Sequence, residues 1–205
     1  MKENYQIKME KIIENLPNDY VPTLLLHACC APCSSYVLEL LSNYFKITIL
    51  YYNPNIYPES EYDKRYGEIS KVLKEINAKY PISVLEVEYE PEKFEEISIG
   101  LEEEQEGGVR CHKCYYLRLE KTALLAKKQH FDYFTTTLSI SPYKNAEVLN
   151  RIGEVLENKY DIKYLYADFK KKEGYKRSIE LSKKYDLYRQ EYCGCKYSMQ
   201  KEETM

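Results

Sequence analysis

With 205 residues, 44% of them hydrophobic and 31% charged, the chain is long enough to bury a core without a disulfide framework and has ordinary globular composition. A net charge of −3 excludes a bulk electrostatic pull toward nucleic acid, so such a partner would need a local basic face. No run approaches the ~20 apolar residues of a membrane span, and the charged stretch 1–14 lacks the apolar core of a secretory signal. We therefore expect a cytoplasmic protein with no membrane partner.

Residues 1–20 read as a lead-in helix in which Ile7, Met9, Ile12 and Ile13 form a weak stripe before Leu16-Pro17-Asn18-Asp19 breaks it. One α/β domain is expected over 21–198, and the polar residues 199–205 read as a flexible tail. The first strand is expected over Thr23–Ala28, apolar on both faces as a central parallel strand is. Ser34 and Ser35 are placed to cap the next helix, with Tyr36, Val37, Leu40 and Leu41 on its inner side. A second strand, Lys46–Tyr52, runs into Asn53-Pro54-Asn55-Ile56-Tyr57-Pro58, whose prolines and asparagines fix an extended loop.

A long amphipathic helix follows over Glu61–Lys79, with Tyr62, Tyr66, Ile69, Leu73 and Ile76 in its inner row. The third strand is expected over Ser83–Tyr89. Residues 92–108 are acidic and end in Gly107-Gly108, a flexible approach to the helix Cys111–Lys128, whose inner face carries Tyr116, Leu119, Ala123 and Ala126. Then come a strand over Tyr133–Leu138, a turn at Ser139-Ile140-Ser141-Pro142 and a helix over Asn145–Tyr160 with Val148, Ile152 and Val155 facing in. A fifth strand, Lys163–Ala167, the basic segment Lys170–Arg177 and a helix over Ser178–Tyr185 complete the pattern. Alternating strands and helices imply a parallel, doubly wound sheet with helices on both faces. Ligands in such folds sit beyond the carboxyl ends of the strands. The ends of the first, second and fourth strands all lie there.

All seven cysteines fall in three clusters: Cys29, Cys30 and Cys33; Cys111 and Cys114; Cys193 and Cys195. In a reducing compartment such spacing points to metal or redox chemistry rather than to disulfides. Thiolates take zinc, iron and iron–sulfur clusters. One tetrahedral zinc needs four ligands, so seven thiols fit two centres better. Neighbouring side chains diverge, which would send Cys29 and Cys30 to different centres. Cys33 reads either as a ligand or as a small buried side chain at a helix start. Gly194 lets the chain turn tightly between Cys193 and Cys195. His27 reads either as a hydrogen-bonder behind Cys29 or as a satisfied core histidine. Arg110 and Arg118 flank the second pair and would favour its anionic state. The run Lys170, Lys171 and Lys172, with Lys176 and Arg177, is either solvated surface or a phosphate contact aided by Lys144, Arg151 and nearby tyrosines. Neither G-x-x-x-x-G-K-[ST] nor G-x-G-x-x-G occurs, so thiols stand where a nucleotide loop would.

Several segments in order resemble one family: His27–Cys33, Tyr52–Ile56, Arg110–Tyr115, Thr135–Leu138, Ser141–Lys144 and Tyr188–Cys195. From Leu24 to Ser198 the chain is similar to the QueH epoxyqueuosine reductases. The resemblance implies a fold like that of the adenine nucleotide α-hydrolases, with the phosphate loop replaced by cysteines. It also implies two-electron removal of the epoxide oxygen from epoxyqueuosine in tRNA. The implied cofactors are a [4Fe–4S] cluster and a nearby thiolate-bound iron (zinc in some preparations), with no cobalamin and with an external electron donor. Implied ligands are Cys29, Cys30, Cys111, Cys114, Cys193 and Cys195, with Cys33 added as a further thiol able to bind iron. Candidate proton donors are Tyr52, Tyr116 and Lys144. Candidate substrate contacts are Asn53, Asn55, Arg110, Arg118, Ser141, Lys171, Lys172, Arg177 and Arg189. A tRNA-thiolating enzyme of related fold would need the phosphate loop that is missing here. A structural zinc module would be colourless and without redox activity.

Overall fold

The computed structural model describes residues 3–199, so residues 200–205 of the expected tail lie outside the described residues. Strand β1 (Thr23–His27) is the centre of the sheet: Leu24, Leu25 and Leu26 are fully buried, as a strand covered on both faces requires. It pairs in parallel with β2 (Lys46–Leu50) on one side and β4 (Tyr133–Thr136) on the other. With β3 (Ile82–Leu85) and β5 (Lys163–Tyr164) at the edges the order is β3-β2-β1-β4-β5, all parallel. The order reverses between β1 and β4, which makes their carboxyl ends the topological switch point.

Helices cover both faces, giving the doubly wound α/β fold expected, like that of the adenine nucleotide α-hydrolases. Leu24 and Leu26 pack against Val37 and Leu38 of α2 (Ala31–Leu41), Ile69 of α3 (Glu59–Glu75) and Leu181 of α7 (Gly174–Lys184). Leu25 packs on the opposite face against Leu119 and Ala123 of α5 (Val109–Lys128) and Leu149 and Leu156 of α6 (Ala146–Tyr160). The strand period of two thus feeds two cores from one strand. Helix α1 (Tyr5–Glu14), N-capped by Asn4, inserts Met9 into the first core.

Several boundaries differ from expectation. The Ser34 and Ser35 hydroxyls do not cap α2; they bond back to the Cys30 and Pro32 carbonyls inside it, and Cys30 is the N-cap residue. Strand β3 stops at Leu85, because only four residues find pairing partners on β2. The third helix ends at Glu75, with Ile76 extended beyond it. In α6 the buried row is Leu149, Gly153 and Leu156, and Val155 faces out at 56% exposure. Inside the acidic 92–108 stretch lies a helix, α4 (Pro91–Ser98). Pro91 opens it and Glu92 sits in its first turn, where the peptide dipoles favour negative charge. Among the described residues, no helix is long and apolar enough to cross a membrane.

Candidate metal centre

The chain leaves β1 at His27 and turns into α2 within three residues, and this turn gathers thiols. The Sγ atoms of Cys29, Cys30 and Cys33 all lie within 4.8 Å of one another. Cys29 and Cys30 therefore do not diverge as expected; their sulfurs are 3.8 Å apart. Side-chain divergence holds for adjacent residues in a regular strand. Here Cys30 is the extended N-cap, at φ −168° and ψ 159°, and the chain bends between the two. One helical turn then brings Cys33 back beside Cys30.

Two further segments face this turn. Cys111 lies in the first turn of α5, where its sulfur accepts the Gly107 N–H at 3.2 Å. Cys114, one turn on, is buried with Cys195 against Phe94 of α4, so the unforeseen helix walls the second cysteine pair. Cys193 and Cys195 sit on a loop just before α8 (Lys196–Met199). Gly194 has φ 117°, and a Cβ there would meet Arg65 Nη1 at 2.9 Å, so the middle residue of Cys-Gly-Cys must be glycine. A cavity of about 380 Å³ opens between these segments, lined among others by Cys29, Cys33, Cys193, Arg118, Lys144 and Asn55. Among the described residues only Cys29, Cys30 and Cys33 meet the close mutual spacing of a ready metal group.

Charge in the site is arranged around the sulfurs. The Cys29 thiol is held well below its ordinary range by hydrogen bonds with Cys30 and Cys33, which outweigh burial, and by the Lys144 charge. The bond to the Cys29 anion, with burial, pushes Cys30 up to about 12, and contacts with Cys29 and Cys30 raise Cys33. Burial pushes Cys114 up to about 12 against the pull of Arg118. Lys144 Nζ donates to Cys193 Sγ at 3.3 Å. Burial opposes its charge, yet the neighbouring Cys193, Tyr115 and Cys29 raise it above the ordinary lysine range. Arg118 is almost fully buried; Nε bonds the Cys114 carbonyl at 3.2 Å, and Nη2 has no partner. An orphaned guanidinium nitrogen beside clustered cysteine sulfurs fits an anionic, thiolate-bound metal group. The donor set fits the expected iron chemistry.

His27 is a satisfied core histidine. Its Nε2 must donate to the Tyr52 carbonyl at 3.1 Å, which leaves Nδ1 to accept from Thr136 Oγ1 at 2.9 Å. Burial, aided by Arg118, lowers its pKa to about 4, so the ring is neutral.

The structure brings only some of the other expected residues together. Lys144, Arg118, Asn53, Asn55, Ser141 and Arg189 line the cavity. Asn53 Nδ2 donates to the Ala28 carbonyl at 2.8 Å, tying the β2 loop to the β1 turn. Tyr52 is buried in the second core instead, and burial and Glu90 raise its phenol. Tyr116 is directed to Glu120 and Lys159 on the far side of α5, because its place in the helix turns it from the sulfurs. Arg110 bonds the Leu101 and Glu102 carbonyls and stacks on Tyr197, so it anchors the α4–α5 connection. In the basic run, Lys172 pairs with Glu10, and Arg177 pairs with Glu39 and Glu180. Lys171 has no ion pair among the described residues and borders a separate surface hollow beside Asp168 and Lys170. Arg65 and Gln190 were not foreseen. Arg65 had a signal, a Glu61-to-Arg65 spacing of one helical turn on the buried side of α3. Gln190 had none.

Fold and site define a class: a doubly wound α/β protein whose switch point carries clustered thiols in place of a phosphate loop. The family model described as epoxyqueuosine reductase QueH matches residues 24–201. The chain belongs to that family of oxidoreductases. A relative so named from Staphylococcus epidermidis is 45% identical over 206 residues, spanning 98% of this chain and 87% of its own. One from Streptococcus pyogenes is 44% identical over 96% of this chain and 78% of its own. One from Thermotoga maritima is 36% identical over 86% of this chain and 90% of its own.

Proposed function

We propose that this chain is an epoxyqueuosine reductase acting on tRNA, removing the epoxide oxygen with two electrons and two protons to leave an alkene and water. The observation that carries the reading is the convergence of Cys29, Cys30 and Cys33 at the switch point of a chain with this family match. Electrons come from an external donor, and the work fits the cytoplasm.

Cys29, Cys30, Cys33, Cys111, Cys114, Cys193 and Cys195 would hold a [4Fe–4S] cluster and a second iron, a position zinc can also take, with no cobalamin. When bound, these groups supply electrons and a Lewis acid at the substrate oxygen. The chain's own residues do the rest. Lys144, protonated and facing the cavity, is the best-placed of the three proposed proton donors, ahead of Tyr52 and Tyr116. Arg118 balances the thiolate charge and fixes Asn53, and Ser141, Asn55 and Arg189 contact the entering nucleotide.

The test is an anaerobic assay on epoxyqueuosine-containing tRNA with a strong reductant, alongside an iron and sulfide count. We expect brown protein with more than about four irons per chain and conversion to queuosine. Metal-replete protein that leaves this tRNA unchanged would overturn the reading.

A further inference from the structure

Five buried side-chain polar atoms lack a hydrogen-bond partner among the described residues: Ser42 Oγ, Asn55 Oδ1, Arg110 Nε, Arg118 Nη2 and Gln190 Oε1. Three of their parent residues, Asn55, Arg118 and Gln190, line the same cavity. Folded proteins leave few such atoms unpaired, so a cluster of them in one cavity describes what the cavity is built to receive.

The three atoms are not equivalent. Arg118 Nη2 is a cationic donor among sulfurs, and the sulfur ligands of a bound metal group would accept from it. Asn55 Oδ1 and Gln190 Oε1 are acceptors. Sulfur ligands are acceptors too, so a metal group held by cysteines leaves both amide oxygens unpaired. A substrate that brings hydrogen-bond donors would pair them in place of water.

Both oxygens are buried on residues of the cavity wall. Asn55 is 3% exposed and lies in a loop buried from Tyr51 to Ile56. The next residues pin it: Ile56 N–H bonds the Asn53 carbonyl at 3.1 Å, and Tyr57 N–H bonds the Gly194 carbonyl at 2.8 Å. Gln190 lines the cavity from the segment before Cys193, and its Oε1 is buried without a partner among the described residues. The acceptors therefore come from two different segments, the β2 loop and the stretch before Cys193.

We propose that Asn55 and Gln190 form a specificity subsite that reads hydroxyl or ammonium hydrogens on the substrate beside its reacting carbons. The ligand class is a substrate that brings O–H or N–H donors to two acceptors on the cavity wall. This inference rests on the proposed function and names the chemical feature by which that site selects its substrate. A site that holds unpaired acceptors for substrate O–H or N–H groups rejects analogues lacking them, because the oxygens then stay buried and unpaired. Uniform binding of this kind is lost as a higher KM with kcat kept.

The experiment compares wild type with Asn55→Leu, Gln190→Leu and the acceptor-retaining Asn55→Asp and Gln190→Glu, all metal-replete, on epoxyqueuosine-containing tRNA. Each Leu variant should raise KM about tenfold with kcat within about twofold, and each acidic variant should recover most of the loss. Iron and sulfide content should stay at the wild-type level. A second arm leaves the protein unchanged: wild type is given an anticodon stem-loop whose epoxide side chain has its hydroxyl and amine hydrogens replaced by methyl. Its KM should rise by at least the same factor. If wild type converts native tRNA and the methylated stem-loop equally well, or the Leu variants keep wild-type KM, the subsite is wrong although the reductase reading stands. If wild type converts neither substrate, the reductase reading fails, and this inference fails with it.

Discussion

Arg65 Nη1 donates a hydrogen bond to the Cys193 carbonyl at 3.2 Å, joining the middle of α3 to the last cysteine segment across 128 positions of sequence. The guanidinium also reaches the Tyr192 carbonyl at 3.4 Å, stacks on the Tyr192 ring at 5.1 Å and pairs with Glu61 at 2.7 Å. Its side chain is only 2% exposed, so water cannot replace these partners. Removing one side of such a buried pair costs about 3–5 kcal/mol. Arg65→Gln should therefore lower thermal stability and reduce the iron content of purified protein. Arg65→Lys should restore neither fully, since an ammonium lacks the planar fork that meets three acceptors. Metal analysis and a melting curve check this, and wild-type iron in Arg65→Gln would refute it.

Lys144 should be indispensable for its charge and its proton. Lys144→Met removes both and should slow single-turnover conversion by about 10²–10⁴-fold. Lys144→Arg keeps the charge beside Cys193 but replaces the ammonium with a guanidinium that is not deprotonated in proteins, so it should bind tRNA normally and turn over slowly. Rapid-quench measurement separates the two; full activity in Lys144→Met would pass the proton role to another group.

Glu120 gathers Lys159 at 2.6 Å, Tyr160 at 2.9 Å and Tyr116 at 3.2 Å between α5 and α6. Burial raises its pKa, but these partners outweigh it and hold the carboxyl below its ordinary 4.5. The bonded carboxylate thus contributes stability that is complete above the unfolded pKa and is lost as pH falls through the folded one. Because Lys159 is half exposed the contribution stays below about 1 kcal/mol. Glu120→Gln should reduce stability at pH 7 by that amount and flatten the acid limb of the stability curve. Tyr116→Phe should change turnover by less than about twofold, since its hydroxyl serves this network; a larger loss would return Tyr116 to the chemistry.

Lys171 separates nucleic-acid contact from bland surface more cleanly than Lys172, whose reversal also breaks its pair with Glu10. Lys171→Glu should weaken tRNA binding and lower the slope of log affinity against log salt by about one. The metal absorption spectrum should not move. Filter binding over a salt series decides, and an unchanged slope assigns Lys171 to solvent.

The sequence made β1 legible because Leu24, Leu25 and Leu26 need burial on both faces, and the sheet order followed from strand and helix alternation. The candidate metal site was legible as three cysteine clusters because thiols have few other uses at such spacing. Helix α4 was not, since its charge masked the few residues, Phe94 and Ile97 among them, that pack on Cys114 and Cys195. The meeting of Cys29 and Cys30 was also hidden, because it depends on a bend at the N-cap that no periodicity encodes. The separation of Tyr116 and Lys144 needed the orientation of α5, and the side-chain row alone did not give it. Gln190 carried no pattern, as its role comes from the cavity it faces.

The glycine at 194 sits in the last-made wall of the site. Residues 29–33 and 111–114 precede 193–195 by more than 75 positions, and in the folded chain Arg65 and Tyr57 hold that final loop through the Cys193 and Gly194 carbonyls. The thiol-bearing wall is therefore completed by one turn that tolerates no side chain at its apex.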